Sequence, residues 1–312
     1  MAVGRAVNGA LHKAILASSG NARVRSLAAK HGLRLGASRF VAGEDLDTCV
    51  AVLRGLNERG LHANTTLLGE DVLDEAEARE VVEEYLEILA RLHAEELRAN
   101  VALKLSHLGL DIGEELAYEN VKRVVERAAE LDNFIRIDME YSALVDPTLR
   151  IYRRLREAGL DNVGTVLQSY LYRAPGDLES LLPLAPNLRL VKGAYLEPES
   201  AAYPKKEDVD AAYLRLVERS LTGGGYTAIA THDERMIEHA LAFAERKGVG
   251  RDRFELQMLY GVRPQLQLDL AARGYKVLVA APFGPEWFPF FTRRLAERPA
   301  NLTFVVRNLV RR

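Results

Sequence analysis

Charged and amide side chains that interrupt apolar runs mark where this chain could do chemistry. Lys104 sits in VALKLSHL, Asp138 and Glu140 end FIRIDME, and Gln168 ends VGTVLQ. Arg189 and Lys192 bracket Leu190 and Val191 in LRLVKGAY, and Thr231, His232 and Asp233 close YTAIATHD. A lone buried charge costs several kcal/mol unless it is paired, so each charged residue implies a partner or a ligand. Two readings stand for Lys104: an ion pair with Asp138, or a point charge for an anionic group of a small molecule. Arg293 and Arg294 lie in WFPFFTRRLAERPAN, with Glu297 one helical turn beyond Arg293. A solvated charged face is the ordinary explanation for such a cluster. Here the crowding by Trp287, Phe288, Phe290 and Phe291 turns at least one arginine inward. Arginine's planar fork suits a carboxylate, and the two arginines with Lys104 would clamp that of an amino acid.

Alternation puts Arg189 and Lys192 on opposite faces of their strand unless its end bends, leaving one of them as a surface residue. Gly193 lets a flat ligand approach the backbone, and positive charge beside a flavin would stabilise its anionic reduced ring. His232 reads first as a structural hydrogen-bonding residue and second as a base. His107, Asp138, Glu140 and His232 all fall near run ends, but no HxH or HExxH spacing joins them, so no metal is expected. Cys49 lies in a helical pattern and reads as packed, not reactive.

The elements that must position these residues follow from periodicity. Short apolar runs start near Asn64, Val101, Phe134, Val163, Leu188, Tyr226, Arg253 and Tyr275, with room between successive starts for a turn, a helix and a return. The intervening segments carry the helical period: Val81, Val82, Tyr85, Leu86, Leu89 and Leu92 share one face, as do Ala117, Val121, Val124, Val125 and Ala128. Asp146 before Pro147 and Asp233 before Glu234 read as helix starts. Strand followed by helix, eight times, predicts an α/β fold, a (β/α)8 TIM-type barrel over residues 61–312. The first turn lacks a GxGxxG fingerprint, which speaks against a Rossmann domain. Residues 1–60 read as a helical N-terminal segment, with Leu46, Val50, Leu53 and Leu56 on one face. In such a barrel the active site forms at the carboxyl ends of the strands, where Lys104, His107, Asp138, Glu140, Gln168, Lys192 and His232 fall.

Composition narrows the function further. With 42 basic and 44 acidic residues among 312, the net charge of −2 lacks the footprint of a general nucleic-acid binder. A single cysteine excludes an intrachain disulfide framework and points to a reducing, cytoplasmic setting. No apolar run approaches the roughly 18 residues of a spanning helix.

VALKLSHLG, IRIDME, VLQSYLYR, LRLVKGAYLEP, ATHD, FELQMLYGVRP and above all WFPFFTRRLAERPAN together resemble the monofunctional bacterial proline dehydrogenase family, from about residue 60 to the C-terminus. The resemblance implies a distorted barrel whose last helix sits above the mouth. It also implies noncovalent FAD and oxidation of L-proline to Δ1-pyrroline-5-carboxylate. Hydride passes to flavin N5 and electrons to a quinone, hence transient contact with the inner membrane. By the same resemblance, Lys104, Arg293 and Arg294 hold the proline carboxylate, Asp138 is the acid beside that lysine, and Leu259 is an apolar wall under the ring. Gln168, Arg189, Val191, Lys192, Gly193, Ala194, Thr231 and His232 match flavin and pyrophosphate contacts, and Glu297 reaches the FAD. Ala280 departs from a tyrosine usual in the family's last strand, and Phe283, Phe288 and Phe290 also stand where tyrosines are usual. The gap at Ala280 could admit 4-hydroxyproline or another cyclic amino acid, or raise the KM for proline.

Overall fold

The computed structural model describes residues 39–287. Eight parallel strands follow one another around a closed barrel: β1 (His62–Leu67), β2 (Ala99–Leu103), β3 (Ile135–Ile137), β4 (Val163–Gln168), β5 (Asn187–Val191), β6 (Tyr226–Ala230), β7 (Phe254–Leu259) and β8 (Val277–Phe283), which pairs back with β1. Each expected apolar run falls on one of them. The helices among the described residues are α1 (Leu46–Glu58), α2 (Glu75–Ala94), α3 (Glu114–Glu130), α4 (Val145–Glu157), α5 (Ala174–Leu181), α6 (Lys206–Leu221), α7 (Glu234–Arg246) and α8 (Pro264–Ala272).

Capping chemistry fixes several helix starts. Asp45, Asp74 and Asp233 accept backbone N–H groups at the starts of α1, α2 and α7. Asp146 behaves differently from the expectation: it lies inside the first turn of α4 and pairs with Arg173 at 2.5 Å instead of capping. The apolar faces of α2 and α3 are buried as their periodicity requires. Between strands and helices lies a continuous core that includes Leu103, Ile135, Leu190 and Ile229.

Strand alternation makes the inside of the barrel polar. Register aligns Asn64 with Asn100, Val166 with Arg189, Arg189 with Ala228 and Ala228 with Glu255, all on the inner face. Arg136 also points inward, and space for it comes from Gly164, where an added Cβ would collide with the Arg136 side chain and the Asn187 carbonyl. The outer face of the β8–β1 seam is covered by α1. There Cys49 Sγ lies 3.2 Å from Thr65 Oγ1, Ala42 donates to the Pro282 carbonyl at 2.7 Å, and Gly284 donates to the Gly43 carbonyl at 3.0 Å. Cys49 is buried, as its helical position suggested, and burial pushes its thiol up to about 12. Among the described residues no helix is long and apolar enough to cross a membrane.

Candidate active site

At the carboxyl ends of the strands the inward alternation delivers Lys104, Asp138, Val191, Ala230, Leu259 and Ala280, all partly exposed. The expected pairing of Lys104 with Asp138 is not what forms. Lys104 Nζ pairs with Glu70, at the end of the turn that leaves β1, while Asp138 accepts from Arg189 at 2.6 Å. Adjacency does not decide the pairing: the β2–β3 register continues to set Lys104 level with Asp138, yet Arg189, two strands further on, reaches that carboxylate across the interior, and Lys104 turns to Glu70 beyond β1. Sequence alternation could flag both charges but could not choose between two acceptors at similar height.

Arg189 is the centre of this layer. Nε donates to Gln257 Oε1 at 2.7 Å, and the two terminal nitrogens donate to Asp138 at 2.6 Å and Asn64 Oδ1 at 2.9 Å. Lys192 takes the opposite face, as alternation required, and binds Asp210 of α6 at 2.6 Å; Lys206 shares that carboxylate. Gly193 adopts a left-handed φ of 116°, and on its Cβ side the Tyr170 ring packs so closely that any side chain would collide. The space expected there for a flat ligand is therefore filled on that side by Tyr170. Ala194 follows in the exposed part of the loop. Gln168 is buried; its Nε2 donates to the Met139 carbonyl at 3.3 Å, and its Oε1 has no hydrogen-bond partner among the described residues.

Thr231 is buried at the end of β6, where its hydroxyl accepts the Asp233 N–H at 3.2 Å. His232 Nε2 accepts the Leu259 N–H at 2.8 Å, which ties β6 to β7 and fixes that ring nitrogen as an acceptor. Leu259 and Ala280 are partners in the β7–β8 register, and Asn64 stands on the other side of Ala280.

Two buried titratable groups lie just outside this layer. Glu140 accepts from the Ser106 N–H at 3.1 Å and from its hydroxyl at 2.5 Å; burial pushes its carboxyl up to about 7, against the Ser106 bonds and the attraction of Lys104. His107 packs edge-on to Tyr85 and against Gly69; burial, reinforced by Lys104, lowers its pKa to about 4 and keeps it neutral. Among the described residues no group of three His, Cys, Asp or Glu converges to hold a metal ion.

The structure thus gathers Lys104, Asp138, Gln168, Arg189, Val191, Leu259 and Ala280 around one mouth and sets Lys192, Gly193, Ala194, Thr231 and His232 along its β5–β6 rim. Arg293, Arg294 and Glu297, with Phe288 and Phe290, lie outside the described residues. Glu70 and Gln257 stand at strand ends by the sequence pattern, but only the structure assigns them partners, as it does for Asn64; Gln257 carries the same signal as Lys104, a polar residue alternating with apolar ones in FELQML.

A closed β/α barrel with charged, partly exposed residues at the carboxyl ends of its strands defines an enzyme of the barrel class. Residues 49–307 match the proline dehydrogenase family. The chain is 44% identical over 303 residues to a proline dehydrogenase of Deinococcus radiodurans, covering 96% of this chain and 97% of that one. It is 40% identical over 289 residues to proline dehydrogenase 2 of Bacillus subtilis, covering 93% and 95%. The chain belongs to the proline dehydrogenase family, oxidoreductases of proline metabolism. A crystal structure of proline utilization A from Bdellovibrio bacteriovorus, inactivated by N-propargylglycine, shares the fold with a TM-score of 0.78 at 24% identity; the match covers 84% of this chain and 32% of that one, so the chain spans about a third of its length.

Proposed function

We propose that this protein oxidises L-proline to Δ1-pyrroline-5-carboxylate at the barrel mouth with noncovalently bound FAD. The observation that carries the reading is family membership along nearly the whole chain, joined to an inward layer in which Lys104, Asp138 and Leu259 stand together. When bound, FAD would accept hydride at N5 and pass the electrons to a quinone, which requires transient contact of an otherwise cytoplasmic protein with the membrane. The residues fit such a group: Gln168 offers a buried carbonyl oxygen without a partner among the described residues, Val191 and Ala230 offer an apolar floor, and the Lys192–Asp210–Lys206 cluster offers cationic charge near the rim.

In this reading Lys104, with Arg293 and Arg294 from beyond residue 287, holds the substrate carboxylate, and Glu70 occupies Lys104 until substrate arrives. Gln168, Arg189, Val191, Lys192, Gly193, Ala194, Thr231, His232 and Glu297 belong to the FAD side. Leu259 lies under the ring. The protein contributes orientation and exclusion of water, and the amine needs no strong base if it reacts in its neutral form.

A second reading keeps the chemistry and changes the substrate. Ala280 leaves room beside Leu259 that a tyrosine would fill, and this favours 4-hydroxyproline or another cyclic amino acid. An anaerobic titration of the purified protein distinguishes the two. Loss of flavin absorption at lower L-proline than trans-4-hydroxy-L-proline supports the first reading, and the reverse order supports the second. A colourless protein that takes up no FAD overturns both.

A further inference from the structure

A continuous chain of side chains runs through the barrel from its floor to its mouth. Lys276 Nζ lies 2.9 Å from Glu255 at the floor. Glu255 Oε1 accepts from Gln257 Nε2 at 2.5 Å, Gln257 Oε1 accepts from Arg189 Nε at 2.7 Å, and Arg189 reaches Asp138 at 2.6 Å. Glu255, Gln257 and Leu259 alternate along the inner face of β7, so one strand supplies both an apolar surface at the mouth and the support beneath it.

The direction of the Gln257 amide is the decisive feature. A carboxamide can be turned through half a circle at almost no cost in shape, which exchanges its donor and acceptor ends. Turned the other way, Gln257 would present N–H to the Arg189 guanidinium and a carbonyl to Glu255, and both contacts would be repulsive. A carboxylate at Glu255 forbids that orientation, because an ionised carboxylate only accepts. Burial alone would push the Glu255 pKa up, but Lys276, Gln257 and Arg136 outweigh it and leave the carboxyl below its usual value. Tyr226 donates to the other oxygen at 3.1 Å. On the opposite side Asn64 is oriented in the same manner, since its amide donates to Asn100 Oδ1 at 2.6 Å and leaves its carbonyl for Arg189.

We infer that Gln257, oriented by Glu255, is a positioning residue that sets Arg189 and, through it, the Asp138 carboxylate beside the substrate. Neither Glu255 nor Gln257 need touch substrate. With Gln257 free to turn, the guanidinium loses the acceptor on its Nε edge and swings, and Asp138 follows it. This inference rests on the reading of the mouth as the proline site.

The test exploits the amide–carboxylate pair. Glu255→Gln removes the constraint, Gln257→Met removes the acceptor, and the double exchange Glu255→Gln with Gln257→Glu rebuilds it. In the double variant the carboxylate at 257 accepts from Arg189 and from an amide at 255, whose carbonyl still faces Lys276 and Tyr226. Binding of tetrahydrofuran-2-carboxylate, the proline ring with oxygen in place of nitrogen, is measured by calorimetry on the purified holoprotein, with thermal midpoints alongside. Each single variant is expected to raise Kd by about tenfold or more, and the double variant to return it to within about threefold of the parent. Unchanged Kd in the single variants, or a double variant that binds no better than the worse single, overturns the inference. Should Glu255→Gln fail to fold, Gln257→Met against the double exchange still decides it. A parent protein that neither binds this carboxylate nor oxidises proline removes the proposed site itself, and is recognised before any variant is made.

Discussion

At the floor of the barrel Arg136 is fully enclosed, its guanidinium donating to the Thr165 carbonyl at 2.9 Å, the Asn187 carbonyl at 2.7 Å and the Asn187 side chain at 2.5 Å, and its plane lying 4.9 Å from the Phe134 ring. At the mouth Lys104 pairs with Glu70 and keeps partial exposure, and Gln168 holds a buried oxygen with no partner among the described residues. Both regions place cations inside strands. At the floor both terminal nitrogens of Arg136 are bonded and only its buried Nε finds no partner among the described residues; burial, with the nearby charge of Arg189, pulls the Arg136 pKa down to about 9 without removing its positive charge at neutral pH. The difference teaches where to look for function: a charge sealed among protein acceptors, as Arg136 is, supports the fold, and one that keeps a face open at the mouth, as Lys104 does, can meet a ligand.

Substitutions can break or sharpen that contrast. Arg136→Met leaves enclosed carbonyls without donors and should cost about 3–5 kcal/mol of stability by denaturant unfolding, with the KM of whatever folds little changed. A KM shift larger than the stability loss would erase the distinction between floor and mouth.

Glu140 tests the mouth side through pH. Its folded carboxyl keeps a proton up to about pH 7 that the unfolded chain releases near 4.5, so the stability it contributes is present below 4.5 and is lost as pH rises through 7. Glu140→Gln should remove that loss, and at pH 8 the variant should exceed the parent by about 3 kcal/mol, converging with it at low pH. Parallel stability–pH curves for the two proteins would show that folding leaves the Glu140 carboxyl unshifted.

Lys104→Met should lower kcat/KM for proline by about 100-fold while moving the thermal midpoint little, since Glu70 can turn to solvent. A fall in stability comparable to that of Arg136→Met, with kcat/KM held, would place Lys104 among the structural charges. The smallest effect is expected at Ala280→Tyr, which should lower the KM for proline by about fivefold, roughly 1 kcal/mol, and reduce turnover of 4-hydroxyproline. An unchanged KM would mean that the space beside Leu259 is already filled.

The eight strands were legible because each carries a run of apolar residues bounded by helical periodicity, and the site residues were legible because charge interrupts those runs. Pairing was not legible. Lys104 and Arg189 each had acceptors available on more than one strand, and the choice depends on barrel diameter and strand height, which no local pattern encodes. The Tyr170 ring against Gly193 was hidden for the same reason: the two residues sit on adjacent strand ends that meet only after the barrel closes. Gln257 shows the other kind of omission, a visible signal in FELQML whose role required knowing that Arg189 lies across from it.

The seam between β8 and β1 has a consequence for how the molecule is made. Its cover, α1, leaves the ribosome early, and the strand it must shelter leaves among the last of the described elements. Throughout synthesis the apolar stripe of Cys49, Val50, Leu53 and Leu56 has no β8 to rest on, so the nascent chain carries a sticky helix that its own fold cannot yet satisfy. Closure then joins segments more than two hundred positions apart, a contact of high order that slows folding. The protein's dependence on chaperones in the cell should therefore be governed by this joint, and a circular permutant that begins at β8 and runs directly into α1 should refold faster than the natural order.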